Sequence, residues 1–253
     1  IHHFNYGTVS LIACAPITCD GERLSSLMYA IIVENQSDSQ GEGVLELPSL
    51  YKNKYSDTRN VLIQCRETNS HKSIFFTLPP HSKKEFMIAL TDPNMYQDTQ
   101  KLFSRSINEW LQETRLYYKQ CIGQVRFDDD PMAGYLIERA YQQASGAFAM
   151  NGHDQILGSN WGTYPVTPHI WNKDMYYSSL LYTMTEPELC KKTIHWFAEY
   201  GIKYPGTKFE GGIFHSLSNS LSVILLSGAY YDYFADRHFF LENEDLYKQM
   251  KDI

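Results

Sequence analysis

Several features that define large protein classes are missing from this 253-residue sequence. No apolar run approaches the roughly 18 residues of a membrane-spanning helix; the densest covers residues 221–226. The five cysteines are odd in number and scattered, which excludes a disulfide framework and favours a reducing, cytoplasmic location. The phosphate-binding, dinucleotide-binding, serine-hydrolase and zinc-protease motifs are all absent. These absences leave a globular protein without a standard cofactor motif, and we expect neither a cofactor nor a metal ion.

A basic surface is also missing, because the chain carries 22 Lys and Arg against 29 Asp and Glu. The whole acidic excess lies from residue 128 onward, where 9 basic residues face 16 acidic ones. Of the 36 aromatic residues, 22 lie in this same part of the chain. Nucleic acids and anionic membranes need basic patches, so the sequence predicts neither as a partner. An acidic, aromatic-rich region favours a neutral polar ligand.

The first 94 residues are predicted to form a domain of β-strands. Six short runs of β-branched or aromatic residues are separated by turn-forming residues, without helical periodicity between them. They are Gly7 to Ala13, Met28 to Val33, Gly43 to Leu47, Val61 to Cys65, Ile74 to Leu78 and Phe86 to Leu90. The pattern is typical of an antiparallel β-sandwich. We expect His2 and His3 to be disordered rather than part of a metal site.

Helical periodicity begins near residue 95. Apolar residues from Phe103 to Cys121 are spaced for one face of a single long helix, which predicts a linker region over residues 95–127. From residue 128 to the end, we expect helices that start after Asp130-Pro131, near Lys173, after a capping box at Thr185 to Glu188, in a long segment ending near Ala235, and at Asn243. Up–down alternation of these helices puts the two long loops, 151–172 and 203–212, on one face. The predicted fold class is therefore α+β, with a β-sandwich followed by a helical bundle or toroid.

The densest cluster of chemistry-bearing residues lies in the first long loop and the helix start that follows it. It comprises Trp161, Tyr164, Trp171, Lys173 and Asp174. Sugar recognition uses flat aromatic faces against the C–H side of a ring, and charged groups for its hydroxyls. Residue type alone leaves a second interpretation open for Asp174, since helix capping also places an aspartate in a first turn.

The order of these residues resembles a segment of the (α/α)6-toroid carbohydrate enzymes. The run from Trp171 to Leu180 is followed by a capped helix that contains Trp196-Phe-Ala-Glu. The family includes glucoamylases, glycogen-debranching amylo-α-1,6-glucosidases, trehalases and disaccharide phosphorylases, and many members carry an N-terminal β-sandwich and linker helices before the toroid. The resemblance therefore implies that residues 128–253 are the first part of an (α/α)6 toroid.

The resemblance also implies roles for individual residues. In several members, a tryptophan followed by an Arg-Asp pair holds the sugar where the bond breaks, which assigns a substrate-binding role to Trp171, Lys173 and Asp174. Lys173 stands where Arg is usual, and Lys cannot form the planar bidentate contact. Glu210 is a candidate for the catalytic acid, but it lies on the second same-face loop rather than the third, so a positioning role is favoured. His215 faces the same cavity or serves helix capping.

The activity that the resemblance implies is the inverting hydrolysis of an α-glucosidic bond in an oligosaccharide. A toroid needs twelve helices, and far fewer are predicted here. We therefore expect this chain to be the N-terminal portion of a larger enzyme, without the catalytic carboxylates, and we expect the same polypeptide or a second chain to complete the toroid. A disaccharide phosphorylase, a non-catalytic carbohydrate-binding protein and a helical interaction protein are the alternatives.

Overall fold

The structure is a computed structural model. The chain forms two compact units, and the boundary between them lies between Tyr117 and Tyr118. It describes residues 2–4, 7–24, 26–47, 62–68, 73–91, 96–123, 128–146, 148–150, 156–159, 172–201 and 217–251. The division falls inside the predicted linker region. The predicted domain boundaries, 1–94, 95–127 and 128–253, stay predictions.

The first unit contains antiparallel sheets, as the sequence predicted. Its strands are β1 His2–Phe4, β2 Gly7–Cys14, β3 Ser26–Asn35, β4 Gly41–Glu46, β5 Leu62–Cys65, β6 Ser73–Leu78 and β7 Lys83–Thr91. All six predicted strands are found. The expectation of disorder at the first two histidines is wrong, because β1 pairs with β2 and aligns His2 with Val9 and His3 with Thr8.

These strands form two sheets, one with the order β1-β2-β3-β7-β5 and one that pairs β4 with β6. Strand β7 lies between β3 and β5, and its residues 86–89 are buried without interruption. Phe86 and Ile88 pack in a core with Ile74 and Leu78 of the small sheet. A strand that is buried on both faces needs a continuous apolar run rather than alternation. The core between the two sheets covers one face of β7.

Two helices, α1 Tyr96–Phe103 and α2 Ile107–Ile122, supply a second core in the first unit. Leu102 and Trp110 pack with Met87, which faces away from the small sheet. The predicted single long helix is therefore wrong. Ser106 and Glu109 explain the interruption: the Ser106 amide donates to the Glu109 carboxylate at 2.7 Å, and the Glu109 amide donates to the Ser106 hydroxyl at 3.3 Å. This capping box starts a new helix.

The described part of the second unit is mainly helical. It contains α3 Pro131–Gly146, the hairpin β8 Phe148–Met150 and β9 Ile156–Ser159, and then α4 Asn172–Tyr182, α5 Pro187–Gly201, α6 Leu217–Phe234, α7 Arg237–Glu242 and α8 Glu244–Lys251. The predicted cap is confirmed, since Asp130 accepts from the amides of Met132 and Ala133. The predicted extension of α3 to Met150 is wrong, because the chain turns into the hairpin after Gly146.

A short helix was missed near the end of the chain. Asp236 caps α7 by accepting from the Phe239 amide at 3.0 Å. The described helices agree with the predicted α+β class, while the twelve-helix toroid stays a prediction. Within the described ranges, no helix combines the length and hydropathy that crossing a bilayer requires.

Candidate functional site

Most of the predicted site residues fall outside the described part of the chain. This holds for Trp161, Tyr164, Trp171, Glu210 and His215. The structure does describe the backbone of Lys173 and Asp174, which lie in the first turn of α4. Their side chains are outside the described set. The structure therefore gives the scaffold that carries the predicted site, and the site's own contacts stay predictions.

The directions of α4, α5 and α6 follow from side-chain contacts. Tyr182, the last residue of α4, has its hydroxyl 2.8 Å from that of Thr193 in α5, across a short turn. Lys191, near the start of α5, has its Nζ 3.4 Å from Asp236, which follows α6. We infer from these contacts that each helix runs antiparallel to the next. On this inference the start of α4, the end of α5 and the start of α6 lie at one end of this helix group, which we call the loop end.

The loop end is where the two segments carrying the predicted site join the helices. Residues 160–171 lead directly into α4, and residues 202–216 connect α5 to α6. The helix directions therefore attach the segment with Trp171 and the segment with Glu210 to the same end of one scaffold. Residues 160–171 and 202–216 lie outside the described ranges, so the predicted placement of the two long loops on one face stays a prediction.

The opposite end of the group, which we call the anchor end, holds a buried carboxylate. Glu186 is 7% exposed and precedes α5. The Tyr141 hydroxyl donates to it at 2.5 Å, and the Ser145 hydroxyl donates at 2.8 Å. Since both donors lie in the last turns of α3, α3 ends beside the end of α4. The long connection from α3 to α4 therefore starts at the anchor end. The predicted up–down alternation, in which α3 and α4 run in opposite directions, is wrong.

The contacts at the anchor end show that the predicted capping box, Thr185 to Glu188, is wrong. Helix α5 begins at Pro187, and Thr185 donates its hydroxyl to Tyr141 at 3.0 Å. Glu188, the predicted partner of Thr185, forms an ion pair with Lys191 at 2.9 Å. Burial and the nearby Glu186 carboxylate raise the pKa of Tyr141 well above its ordinary value. Tyr141 therefore stays protonated as a donor at neutral pH, which fits a structural anchor rather than a proton-transfer site.

The surface of α6 differs from that of an ordinary outer helix. Val223 and Leu226 are buried, whereas Leu221, Ile224 and Leu225 on other sides of the helix are exposed. An α-helix that is apolar around its whole circumference is normally covered on all sides.

Metal ligation has no support within the described ranges. There, no three His, Cys, Asp or Glu side chains come together in a way that holds a metal ion. All five cysteines are free thiols, and burial raises the pKa of Cys65 and Cys190 to about 11. These two thiols therefore stay protonated at neutral pH.

Comparison with known proteins identifies a similar fold. No protein-family model matches the sequence, and no curated protein matches it. Among solved structures, the chain is similar to a protein described as a putative kojibiose phosphorylase from the human microbiome. The TM-score is 0.59 and the sequence identity is 10%. The match covers 94% of this chain but only 41% of that one. The likeness shows a shared fold over nearly all of this chain.

Proposed function

We propose that this chain is part of a carbohydrate-active enzyme that breaks a glycosidic bond in an α-glucoside. The observation that supports the proposal is the set of contacts among α4, α5 and α6, from which we infer that the aromatic segment before α4 and the Glu210 segment before α6 join one end of these helices. The fold shared with a putative kojibiose phosphorylase supports the same class of enzyme. The ligand is then a neutral oligosaccharide rather than a nucleic acid or a membrane.

In this proposal, aromatic side chains wall the subsite for the reacting sugar. Trp161, Tyr164 and Trp171 offer flat faces to the apolar side of the ring. Lys173 and Asp174 hold its hydroxyl groups from the first turn of α4. A carboxylate there accepts hydrogen bonds from two neighbouring hydroxyls, and a fixed sugar loses less freedom on reaching the transition state.

The second segment adds positioning groups from the start of α6. Glu210 is flanked by two glycines in the sequence, which lets a ligand approach the backbone closely. His215 lies two residues before α6 and contributes a further hydrogen-bonding group to the same subsite. We keep Glu210 as the candidate catalytic acid within this chain, and favour the positioning role.

The proposed reaction is hydrolysis with inversion. One carboxylic acid protonates the oxygen of the departing sugar, while a carboxylate on the opposite face removes a proton from the attacking water. The water oxygen bonds to the anomeric carbon as the glycosidic bond breaks, and two free sugars result. We propose that the polypeptide completing the toroid supplies this pair of carboxyl groups, and that it covers the exposed apolar residues of α6.

Phosphorolysis is the second candidate, favoured by the description of the structural neighbour. Inorganic phosphate then replaces water as the nucleophile, and the products are a glycosyl phosphate and a shorter sugar. The acidic excess after residue 128 weighs against an anionic co-substrate.

Product analysis separates these reactions. The polypeptide that contains this chain is incubated with maltose or kojibiose, with and without inorganic phosphate, and the anomeric protons are followed by NMR. Hydrolysis gives free glucose of inverted configuration under both conditions. Phosphorolysis gives a sugar phosphate and requires added phosphate. Failure to cleave either glucoside under both conditions contradicts the proposed class of enzyme for these linkages.

A further inference from the structure

A cleft of about 520 Å3 opens between the two sheets of the first unit. Val9 of β2 and Ile31 of β3 lie along its floor, and residues 42–45 of β4 form one wall. The loop at residues 37–40 lines it as well. The volume is within the range of ligand sites, but the shape of the surroundings points to a particular kind of occupant.

The floor of the cleft is an apolar strip that the small sheet leaves uncovered. Val9 pairs with Val33, and Leu11 pairs with Ile31, so these side chains share one face of the large sheet. Ile31 packs on the core between the sheets, which identifies this face as the inner one. Leu11 extends this strip beyond the residues that line the cleft, and it is 60% exposed. An inward-facing leucine at this exposure marks unfilled space above β2.

One wall of the cleft is an edge of β4, because consecutive residues 42–45 line it. Among the described residues, β4 pairs with β6 and with no other strand, so within them this second edge has no neighbouring strand. A strand edge beside open space and an apolar floor is the arrangement that accepts an added β-strand. A strand placed there lies about 4.8 Å from β4 and about 10 Å above the floor, which are the spacings within and between packed sheets.

The charges of β4 decide which strand fits. Glu42, Val44 and Glu46 lie on the outer face, and β4 and β6 contain no basic residue. An added strand places its own outward side chains beside Glu42 and Glu46, so Lys or Arg is favoured at those positions. Antiparallel pairing with a second copy of β4, centred on Val44, puts Glu42 of one copy opposite Glu46 of the other. That repulsion disfavours a second copy as the occupant.

We propose that the β4 edge and the Val9–Leu11 strip form a strand-augmentation site for an extended polypeptide segment. The segment's alternate residues are apolar toward the floor and basic toward solvent. This inference concerns the first unit, and it stands or falls independently of the proposed glycosidase activity.

The test uses a fluorescein-labelled peptide, acetyl-(Lys-Val)4-amide, and fluorescence anisotropy with the whole chain. A control peptide has the same composition with its four valines contiguous, which keeps the net charge and removes the alternation. We expect the alternating peptide to bind at least about 10-fold more tightly than the control. We also expect it to slow hydrogen exchange of amides in β4, as strand pairing requires.

Protein variants locate the site. Leu11→Lys puts a charge on the floor, and Glu42→Lys removes the charge match; each is expected to weaken binding at least 10-fold. Leu116→Lys, at another exposed leucine of the first unit, is the matched control and is expected to leave binding unchanged. Thermal melts confirm that the variants fold, which the exposure of Leu11 favours.

Four results overturn the proposal. Equal affinity for the two peptides shows that charge rather than strand geometry drives binding. Unchanged binding by Leu11→Lys, or unchanged exchange in β4, places any peptide elsewhere. A wild-type dimer in light scattering that Leu11→Lys converts to monomer makes a second copy the occupant instead.

Discussion

The hydroxyl of Tyr141 lies 2.5 Å from the carboxylate of Glu186, and this hydrogen bond joins the last turns of α3 to the residue that precedes α5. Glu186 is buried, and its described donors are hydroxyl groups. A buried carboxylate depends strongly on its hydrogen bonds, because the low dielectric raises the cost of an unpaired group. The pair therefore joins the end of α3 to the start of α5 at the anchor end.

Loss of the anchor carboxylate is expected to be costly. Glu186→Ala leaves the buried hydroxyls of Tyr141 and Ser145 without their acceptor, so we expect the free energy of unfolding to fall by about 2–4 kcal/mol. Glu188→Ala, at an exposed position two residues away, is expected to cost less than about 1 kcal/mol. Urea denaturation gives both values, and hydrogen exchange in α3 and α5 localises the loss. Equal effects of the two substitutions contradict the anchor role.

The same pair makes stability sensitive to alkaline pH. Burial and the Glu186 carboxylate raise the pKa of Tyr141 in the folded state, while the unfolded tyrosine titrates near its ordinary value of about 10. Above pH 10, the folded state holds the proton that the unfolded state loses, so this stabilisation is present below about pH 10 and is lost as the pH rises. Wild type is expected to lose up to about 1.4 kcal/mol per pH unit more than Tyr141→Phe. Parallel stability curves for the two proteins refute this.

In the first unit, the side chain of Asn35 joins two loops. Its amide nitrogen donates to the carbonyl of Ser39 at 2.8 Å and to that of Pro79 at 3.0 Å. Asn35→Asp replaces this donor with a negatively charged acceptor facing carbonyl oxygens, and we expect it to reduce the free energy of unfolding by at least about 2 kcal/mol. Asn108→Asp, the same change at an exposed position near the start of α2, is expected to be within about 0.5 kcal/mol of wild type. Chemical denaturation distinguishes the two.

Among the described residues, Trp110 is the largest fully buried side chain, and its indole N–H donates to the Leu102 carbonyl at 2.8 Å. Trp110→Phe removes both volume and the hydrogen bond, so a loss of about 2–4 kcal/mol is expected by the same method. Leu116→Ala, on an exposed face of the same helix, is expected to change stability by less than about 1 kcal/mol. A small effect at Trp110 means that the core beneath the large sheet tolerates a cavity.

Local signals predicted most of the described strands and helices. The six strand runs carry their own turn residues, and Asp130 before a proline is a sufficient helix start. The predictions failed where two local patterns compete. The apolar stripe from Phe103 to Cys121 continues across the capping box at Ser106, and it is the capping box that separates α1 from α2. The hairpin β8–β9 was missed because its strands of three and four residues are too short for periodicity to register.

The candidate site was less accessible from sequence, for a physical reason. Glu186 lies between a threonine and a proline, a local sequence that is also typical of an ordinary helix N-terminus. The hydroxyl groups that donate to Glu186 belong to a helix more than 40 residues earlier. No local sequence pattern predicts the contact of Tyr141 and Ser145 with Glu186. The aromatic and charged residues around the start of α4 were identified by type and by family resemblance, and their meeting with the Glu210 segment at the loop end stays a prediction.

The most direct test of the central claim is kcat/KM on an α-glucoside for Asp174→Asn in the polypeptide that contains this chain. If Asp174 holds a sugar hydroxyl in the reacting subsite, the value falls by about 10²-fold or more. Asp232→Asn makes the same change at an exposed residue near the far end of α6 and is expected to retain wild-type activity. Normal turnover by Asp174→Asn, or an equal loss in Asp232→Asn, contradicts the proposed site.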